Sequence, residues 1–220
     1  MQWQLLDSLS DIDRRAVISR CHRQRFPKGA FICHQGEPGD SVHLIDTGTV
    51  AIRVNGPVGD IITVDVMSPG NSFGEQALIN DGAIRTATVV ALERVETLRL
   101  TRDEFRALWE EHPGASMVVA KMLEARLRST SQALLDALHL PAENRVMRRL
   151  AVLADIYASH ASHSIPLTQD DIASMAGTTR QTVNRILGQA QEAGLVSLTR
   201  GRIVITDPQG VARRAGTGRQ

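Results

Sequence analysis

The sequence is short of cysteines and aromatic residues, and each shortage excludes a class of protein. Two cysteines in 220 residues cannot supply the four thiolates of an all-cysteine zinc site or iron–sulfur cluster within one chain. They are also too few for a disulfide framework, and reduced cysteines fit the cytoplasm, where we expect the protein to reside. Seven aromatic rings are too few to build the stacking platforms that bind single-stranded nucleic acid.

Long apolar runs are missing as well. No stretch approaches about 18 apolar residues, so no transmembrane span and no membrane partner are expected. The opening residues, MQWQLLDSLSDIDRR, lack the basic and then apolar pattern of a signal peptide. Hydrophobic residues nevertheless make up 42% of the chain, which is enough for a buried core and too many for a disordered chain.

Net charge is also small, at +1, which argues against a polybasic DNA coat. This total conceals a division of the chain. Residues 1–139 carry 15 basic and 18 acidic side chains, a net charge of −3, whereas residues 140–220 carry 10 and 6, a net charge of +4. An acidic N-terminal part is therefore followed by a basic C-terminal part.

Between residues 24 and 100, short apolar runs alternate with glycine-rich turns. The runs are AFIC, SVHLI, TVAIRV, IITVDV, TATVVAL and VETLRL, and the turns are PKG, QGEPGD, DTG, NGPVG and SPGN. Short β-branched strands at regular spacing predict an all-β sandwich or roll. The period becomes helical at residue 101, where Thr101 or Asp103 is expected to cap a short helix that ends near Trp109.

A long helix is predicted over residues 115–138, which contain neither glycine nor proline. Its apolar stripe has three-to-four spacing over about three heptads, as in a two-stranded seam. Packing against the helix's own roll is the alternative, but polar Thr130 and Ser131 in mid-stripe favour a seam with a specific partner. The stripe consists of Met117, Ala120, Leu123/Glu124, Leu127, Thr130/Ser131, Leu134 and Ala137/Leu138.

The segment LTQDDIASMAGTTRQTVNRILGQAQEA, residues 167–193, predicts a helix-turn-helix. Its first helix covers 169–176 with Thr168 as N-cap, and Gly177 suits the left-handed turn that follows. Thr178 or Thr179 is expected to cap the second helix. The segments LVSLT and RIVIT then predict a wing hairpin.

The second helix presents polar side chains of the kind that read base edges. Arginine binds guanine, and glutamine and asparagine bind adenine best. An incidental polar face on a three-helix unit is the alternative. The residues expected to contact DNA are Gln169, Thr179, Arg180, Gln181, Thr182, Asn184 and Arg185 on the helices and Arg200 and Arg202 on the wing, where arginines reach phosphate.

A candidate phosphate site lies in FGEQALINDGAIRTATV, residues 73–89. Gly74-Glu75 is expected to open a short helix whose free N–H groups favour an anion, and Gln76, which follows, is also expected to contact the ligand. Arg85 is suited to bidentate recognition of one phosphate, and the Glu75 carboxylate can accept a bond from a ribose hydroxyl. The alternative is that Glu75 and Arg85 form a purely structural salt bridge.

These segments, in this order and spacing, resemble the cyclic AMP receptor protein/FNR family of bacterial transcription regulators. The matching pieces are PKGAFICHQGEPGDSVHLIDTGTV, FGEQALINDGAIRTATV, the long helix and LTQDDIA…TTRQTVNRIL. The resemblance implies an α+β protein: a cyclic-nucleotide-binding β-roll over 1–112, a dimerisation helix over 113–139 and a winged helix-turn-helix over 140–220. The cysteine count excludes the family's iron–sulfur branch, and nothing indicates a haem.

The resemblance also assigns roles to residues. Gly74 and Glu75 match the ribose-binding pair, Arg85 matches the phosphate-binding arginine, and Thr86 stands where the cyclic AMP receptor has serine. Thr130-Ser131 matches two helix hydroxyls that meet the purine, one from each subunit. The sequence RTA at 85–87 also resembles the cassette of cyclic-GMP-binding kinase domains, so cyclic GMP remains an alternative to cyclic AMP.

We therefore expect a homodimeric transcription regulator, not an enzyme, with a cyclic nucleotide as effector and no catalytic cofactor or metal. Its expected partners are double-stranded DNA, the cyclic nucleotide, a second copy of the chain and RNA polymerase. Gln181 replaces a glutamate that reads cytosine in the family, so a half-site shifted or relaxed from TGTGA is predicted. The alternative is the same architecture with ligand-independent DNA binding, or control by another ligand such as cyclic di-GMP.

Overall fold

Alternating apolar residues fold the N-terminal half of the chain into two four-stranded sheets. The computed structural model describes residues 3–7, 9–56, 59–76, 82–111, 114–158, 164–199 and 201–216. The strands in chain order are β1 His22–Phe26, β2 Phe31–Cys33, β3 Ser41–Thr47, β4 Val50–Asn55, β5 Ile61–Met67, β6 Ser72–Phe73, β7 Thr88–Ala91 and β8 Val95–Thr101. The sheet orders are β1-β8-β3-β6 and β2-β7-β4-β5.

The predicted β-roll is confirmed, since each of the six apolar runs contains a strand. In the antiparallel pair β3–β8, Val42 lies opposite Leu100 and Leu44 opposite Leu98. All four side chains are buried in one core cluster, because alternate residues of a strand face the same side of a sheet.

Two elements at the N-terminus have no counterpart among the predictions. A 3₁₀ helix, Gln4–Leu6, and α1, Asp11–Arg20, precede the sheets, and Trp3, Leu5 and Leu6 are buried in the same cluster as Val42. Strand β1 reads HRQRF and has little apolar content, yet all five of its residues pair with β8.

Two helices follow the strands: α2, Arg102–Glu111, and α3, Gly114–His139. Thr101 is the cap, because its Oγ1 accepts from the Glu104 backbone N–H and the Glu104 carboxylate accepts from the Thr101 N–H at 2.7 Å. One side of α3 packs against the roll, with Val119 buried and Met122 and Leu123 against the core. This side of the helix therefore packs against its own roll, which was the predicted alternative to a two-stranded seam.

Another set of α3 side chains is exposed in the single chain. Leu127 is 68% exposed and belongs to the predicted seam. Such a row of uncovered apolar residues on one helix is characteristic of an interaction surface. The other exposed large apolar residues of the stripe are Met117, Leu134 and Leu138, to which the structure adds Leu135.

The C-terminal part is a winged helix-turn-helix, as predicted. Its helices are α4 Ala142–Ile156, α5 Gln169–Ala176, α6 Arg180–Glu192 and α7 Pro208–Arg214. Its strands are β9 Ser164–Ile165, β10 Val196–Thr199 and β11 Arg202–Ile205, in the order β10-β11-β9. Strand β9 and helix α7 have no counterpart among the predictions.

Contacts between Cα atoms divide the chain into two units, with the division inside α3. One contains the residues up to Ile61 together with Val66–Ser129, and the other contains Ile62–Asp65 and the residues from Thr130 onward. None of the helices in the described ranges is long and apolar enough to cross a membrane.

Candidate ligand pocket and nucleic-acid interface

Arg85 is the centre of the candidate ligand pocket, and its guanidinium is held by β3. The side chain is only 6% exposed. Its Nη1 donates to the Ser41 carbonyl at 2.7 Å and its Nη2 to the Ser41 Oγ at 2.9 Å. These two bonds fix the plane of the guanidinium, and a fixed plane is what bidentate recognition of a phosphate requires.

Asp40 forms an ion pair with Arg85. Its Oδ1 lies 3.5 Å from Arg85 Nη2, and its Oδ2 accepts from Arg99 Nη2 at 2.8 Å. Burial opposes ionisation of this carboxyl, but the hydrogen bond from Ser41 and the charges of Arg99 and Arg85 outweigh it and lower the pKa of Asp40. An ionised Asp40 therefore joins the two guanidinium groups.

Gly74 gives Arg85 the space that it occupies. The residue has φ +95°, and a Cβ built on it would overlap Arg85 Nη1 and lie 2.7 Å from the Ser41 carbonyl oxygen. Glycine is required here on two grounds, since the backbone conformation disfavours other residues and the space is already taken. Gly74 and Arg85, matched to the family by sequence, are thus in contact.

Glu75 is 1% exposed, and its two carboxylate oxygens differ in their contacts. Oε1 accepts from Arg126 Nη1 at 2.6 Å, whereas Oε2 is buried with no hydrogen-bond partner in the part of the chain that the structure describes. Glu75 forms its ion pair with Arg126, so the predicted alternative, a Glu75–Arg85 salt bridge, is not formed. A buried acceptor without a donor suits a ligand hydroxyl.

The remaining predicted ligand residues are exposed. Thr86 Oγ1 donates to Gln76 Oε1 at 3.3 Å, a long hydrogen bond between two surface side chains. Thr130 and Ser131 lie in the middle of α3, about one turn after Arg126, and both are exposed. Helical spacing places Arg126 and Thr130 on the same face.

His43 is a buried residue whose pKa is affected by the charged groups of the pocket. It is 3% exposed, its ring stacks on Phe73 with centroids 5.0 Å apart, and its Nδ1 lies 3.0 Å from Thr97 Oγ1. Burial first, and then the charges of Arg85 and Arg99, lower the pKa of His43 to about 3. The imidazole is therefore neutral at physiological pH, and the positive charge near Arg85 resides on arginines.

In the C-terminal unit, two devices hold the helix-turn-helix. Thr168 caps α5 through a capping box, in which the Asp171 carboxylate accepts from the Thr168 N–H at 2.9 Å and Thr168 Oγ1 accepts from the Asp171 N–H at 3.2 Å. Gly177 has φ 58° and ends the helix in the left-handed conformation, as predicted. The turn therefore has the conformation that its glycine and cap indicated.

Arg145 of α4 fixes the turn from outside. Its guanidinium donates to the carbonyls of Ala176 at 2.8 Å, Gly177 at 2.9 Å and Leu140 at 2.7 Å. Arg149 donates to the Met175 carbonyl at 2.8 Å. These carbonyls end α3 or α5, where backbone acceptors lack partners within the helix.

Helix α6 begins at Arg180 with Thr179 as its cap, because Thr179 Oγ1 accepts from the Thr182 N–H at 3.2 Å. Its inner face, Val183, Ile186 and Leu187, is fully buried. Its outer face carries the predicted base readers Arg180, Gln181, Asn184 and Arg185, all exposed.

The side chains predicted to read bases make contacts within the unit. Arg180 Nη1 lies 3.4 Å from Asp170 Oδ2, and Asn184 Nδ2 donates to Gln169 Oε1 at 3.1 Å. On the wing, Arg202 is exposed at the start of β11, and Arg200 lies outside the described residues.

Four residues of these sites escaped sequence reasoning: Asp40, Ser41, Arg126 and Arg145. Asp40 ends the predicted turn QGEPGD and Ser41 begins the run SVHLI, but nothing in either segment indicates a contact with Arg85. Arg126 lies 51 residues from Glu75, which only the fold brings near. A sequence signal does exist for Arg126. Thr130 belongs to the predicted stripe, and Arg126 lies four residues before it, about one helical turn away.

A buried arginine and carboxylate in a β-roll, followed by a winged helix-turn-helix, define a small-molecule-binding domain joined to a DNA-binding domain. Residues 23–112 match the cyclic nucleotide-binding domain and residues 144–214 match the Crp-like helix-turn-helix domain. The chain belongs to the Crp/Fnr family of transcription regulators.

Individual relatives agree with this assignment. The chain is 30% identical over 194 residues to the CRP-like cAMP-activated global transcriptional regulator of Mycobacterium tuberculosis, covering 86% of each chain. It is similar to the Thermus thermophilus catabolite activator protein, with a TM-score of 0.56, 28% identity and coverage of 97% and 99%. The c-di-GMP responsive regulator CLP of Xanthomonas campestris shares the fold, with a TM-score of 0.74, 19% identity and coverage of 89% and 99%.

Proposed function

We propose that the protein binds cyclic AMP in the pocket of Gly74, Glu75 and Arg85. The observation that supports this most is the pair of buried polar groups: a guanidinium fixed in plane by Ser41, and a carboxylate oxygen, Glu75 Oε2, without a donor. A cyclic phosphate supplies the anion and a ribose hydroxyl supplies the donor.

We propose that Gln76, Thr86, Thr130 and Ser131 complete the site. The base is assigned as adenine because Thr130-Ser131 matches the family's two helix hydroxyls, one contributed by each copy. Relatives named as cAMP-activated support the same choice. Cyclic GMP is the competing ligand because Thr86 also fits the guanine-binding cassette.

The active form is proposed to be a homodimer joined through α3. The support is the exposed apolar stripe, with Met117, Leu127, Leu134 and Leu138 all open in the single chain. A second copy of the same helix covers such a stripe in a two-stranded seam. The proposed division is a roll over 1–112, the seam over 113–139 and the DNA-binding domain over 140–220.

Ligand binding is proposed to shift the dimer from a DNA-incompetent to a DNA-competent population. Two α6 helices about one DNA turn apart then read a palindromic promoter site, with Arg202 on phosphate. Gln181 predicts a half-site related to TGTGA but relaxed or shifted. The site of action is proposed to be the cytoplasm, with RNA polymerase as partner.

Titration calorimetry with cyclic AMP, cyclic GMP and cyclic di-GMP tests the ligand assignment. Wild type is expected to bind cyclic AMP, and Arg85→Ala is expected to abolish binding while leaving a folded dimer. Arg25→Ala is the matched control, because Arg25 lies in the same unit and pairs with Glu96 at the surface. Unchanged affinity in Arg85→Ala would refute the pocket, and tight binding of cyclic di-GMP alone would favour the alternative ligand.

The regulatory step needs its own measurement. Fluorescence anisotropy with a selected DNA duplex should show tighter binding with saturating cyclic AMP than without it. Equal binding in both conditions would indicate ligand-independent control. Chromatography of the nucleotide after incubation should return it intact, since no catalytic role is proposed.

A further inference from the structure

The two helices of the helix-turn-helix are joined on their outer side by a pair of amide side chains. Gln169 is the first residue of α5, and Asn184 lies on the second turn of α6. Asn184 Nδ2 donates to Gln169 Oε1 at 3.1 Å. Asn184 is exposed and Gln169 half-buried, so the bond lies on the surface that carries the other base readers.

This bond determines which groups Asn184 has left for DNA. An asparagine amide has two N–H donors and one carbonyl acceptor. One donor is taken by Gln169, which leaves one donor and the acceptor. Adenine offers one acceptor, N7, and one donor, N6, at its major-groove edge, so the remaining groups match adenine.

Guanine is disfavoured by the same bond. Its major-groove edge carries two acceptors, N7 and O6, and needs two donors. Because Gln169 holds one of the two N–H groups of Asn184, the amide cannot direct both toward guanine. The carbonyl oxygen would then face O6 and leave two acceptors opposed.

The bond also restricts the side chain before DNA arrives. An exposed asparagine on its own samples several rotamers and loses that freedom on binding. The hydrogen bond from Asn184 to Gln169 reduces this loss, because it already restrains the Asn184 side chain before DNA binds. The first helix of such a motif crosses the DNA backbone, where the Gln169 Nε2 group can donate to a phosphate.

We propose that Gln169 is a positioning residue that makes Asn184 specific for adenine over guanine. The proposal rests on the DNA binding argued above and adds to it the chemistry of one base pair. Gln169 acts through Asn184, so its effect is confined to the position that Asn184 reads.

The test uses the full-length chain with saturating cyclic AMP and a randomised double-stranded DNA library. Anisotropy titrations then compare all four bases at each half-site position of the selected duplex. Asn184→Ala identifies the position that Asn184 reads. Wild type should prefer adenine over guanine there by about 5- to 150-fold, the range for a good bidentate contact.

Two substitutions of similar size separate the acceptor from the bulk of Gln169. Gln169→Met removes the acceptor oxygen, and the preference for adenine at that one position should fall several-fold. Gln169→Glu keeps an acceptor and should retain the preference, although its charge lowers affinity for every sequence. In an Asn184→Ala background, Gln169→Met should change no base preference.

Several results would overturn the proposal. An unchanged adenine preference in Gln169→Met would refute the positioning role. An equal loss of affinity for all four bases would make Gln169 a phosphate contact only. No position responding to Asn184→Ala would remove Asn184 as a base reader. Enrichment of no sequence by wild type would refute DNA binding itself, and this proposal with it. Circular dichroism verifies folding, with Gln169→Leu replacing the methionine variant if that variant does not fold.

Discussion

The two units of the chain differ in the burial of the polar groups that are proposed to bind their ligands. In the N-terminal unit Glu75 and Arg85 are buried, whereas in the C-terminal unit Arg180, Gln181 and Asn184 are exposed. A small ligand is bound in a pocket that encloses it, whereas a DNA duplex is bound on an exposed protein surface. The difference shows which partner each unit suits before any ligand is considered.

Because the two sets of charged groups differ in burial, they also differ in the free energy that their removal from water requires. A buried ion is destabilising unless partners replace water. The roll supplies Ser41 and Asp40 for Arg85, and α3 supplies Arg126 for Glu75. The exposed arginines of α6 stay hydrated. Substitutions in the pocket are therefore expected to lower the free energy of unfolding as well as ligand affinity while leaving a folded protein, whereas those on the DNA face affect DNA binding alone.

The largest expected effect compares one glycine from each unit. Gly74 and Gly177 both have positive φ, so alanine at either position costs about 1–2 kcal/mol of backbone strain. At Gly177 a Cβ meets nothing within 4 Å, but at Gly74 it overlaps Arg85 and approaches Ser41 O. Gly74→Ala should therefore destabilise the protein more than Gly177→Ala and abolish cyclic AMP binding.

Tryptophan fluorescence follows the unfolding of Gly74→Ala, because Trp3 and Trp109 both belong to the N-terminal unit. Helical circular dichroism follows Gly177→Ala, and calorimetry measures cyclic AMP. Equal losses of stability in the two variants, with nucleotide binding preserved in Gly74→Ala, would contradict the close packing at Gly74.

A second prediction concerns the ion pair that spans the roll and α3. Arg126→Met should leave the buried Glu75 carboxylate without its recorded cationic partner and destabilise the protein by about 1–3 kcal/mol. This is below the usual 3–5 kcal/mol for breaking a buried pair, because Arg126 is partly exposed. Adding Glu75→Gln removes the charge and should recover part of the loss in urea unfolding. Additive losses in the double variant would show that the pair is not coupled.

The same contrast explains how much the sequence could predict. The helix-turn-helix was predicted to the residue for 169–176, with its cap and its glycine, because caps and turns depend on neighbours along the chain. The recognition face followed from helical spacing. Arg145 was missed, since its three carbonyl partners are distant in sequence or at helix ends with no motif.

In the roll, the strands with alternating apolar residues were predicted, and strand β1 was not. Its sequence HRQRF owes its conformation to the ladder with β8 and to ion pairs of Arg23 and Arg25 with Glu96, all tertiary contacts. Glu75 and Arg85 were identified from a predicted helix start and a nearby arginine and were then matched to a family motif, but the partners of their charges were not identified. The sequence therefore identified the groups proposed to bind the ligand but not the residues that hold those groups in place.

A third prediction concerns pH. Burial and the charges of Arg85 and Arg99 lower the pKa of His43 from 6.5 to about 3, so the unfolded chain binds a proton that the folded chain does not. The contribution is complete above pH 6.5 and is lost as pH falls toward 3, at up to about 1.4 kcal/mol per pH unit. His43→Gln keeps a hydrogen-bonding group for Thr97 and should flatten this dependence in urea unfolding. Parallel profiles for the variant and wild type would show that His43 is not the group responsible.

The smallest effect on stability is expected from the exposed wing, where it gives the sharpest contrast with the pocket. Arg202→Ala should change the free energy of unfolding by less than about 0.5 kcal/mol, because the side chain is exposed. If Arg202 contacts phosphate, the variant should weaken binding to all DNA sequences alike and lower the slope of log affinity against log salt by about 1 for each half-site. The modest net charge of +4 over residues 140–220 makes each such contact a measurable fraction of the total. A sequence-dependent loss would instead place Arg202 among the base readers, and an unchanged salt slope would remove it from the interface.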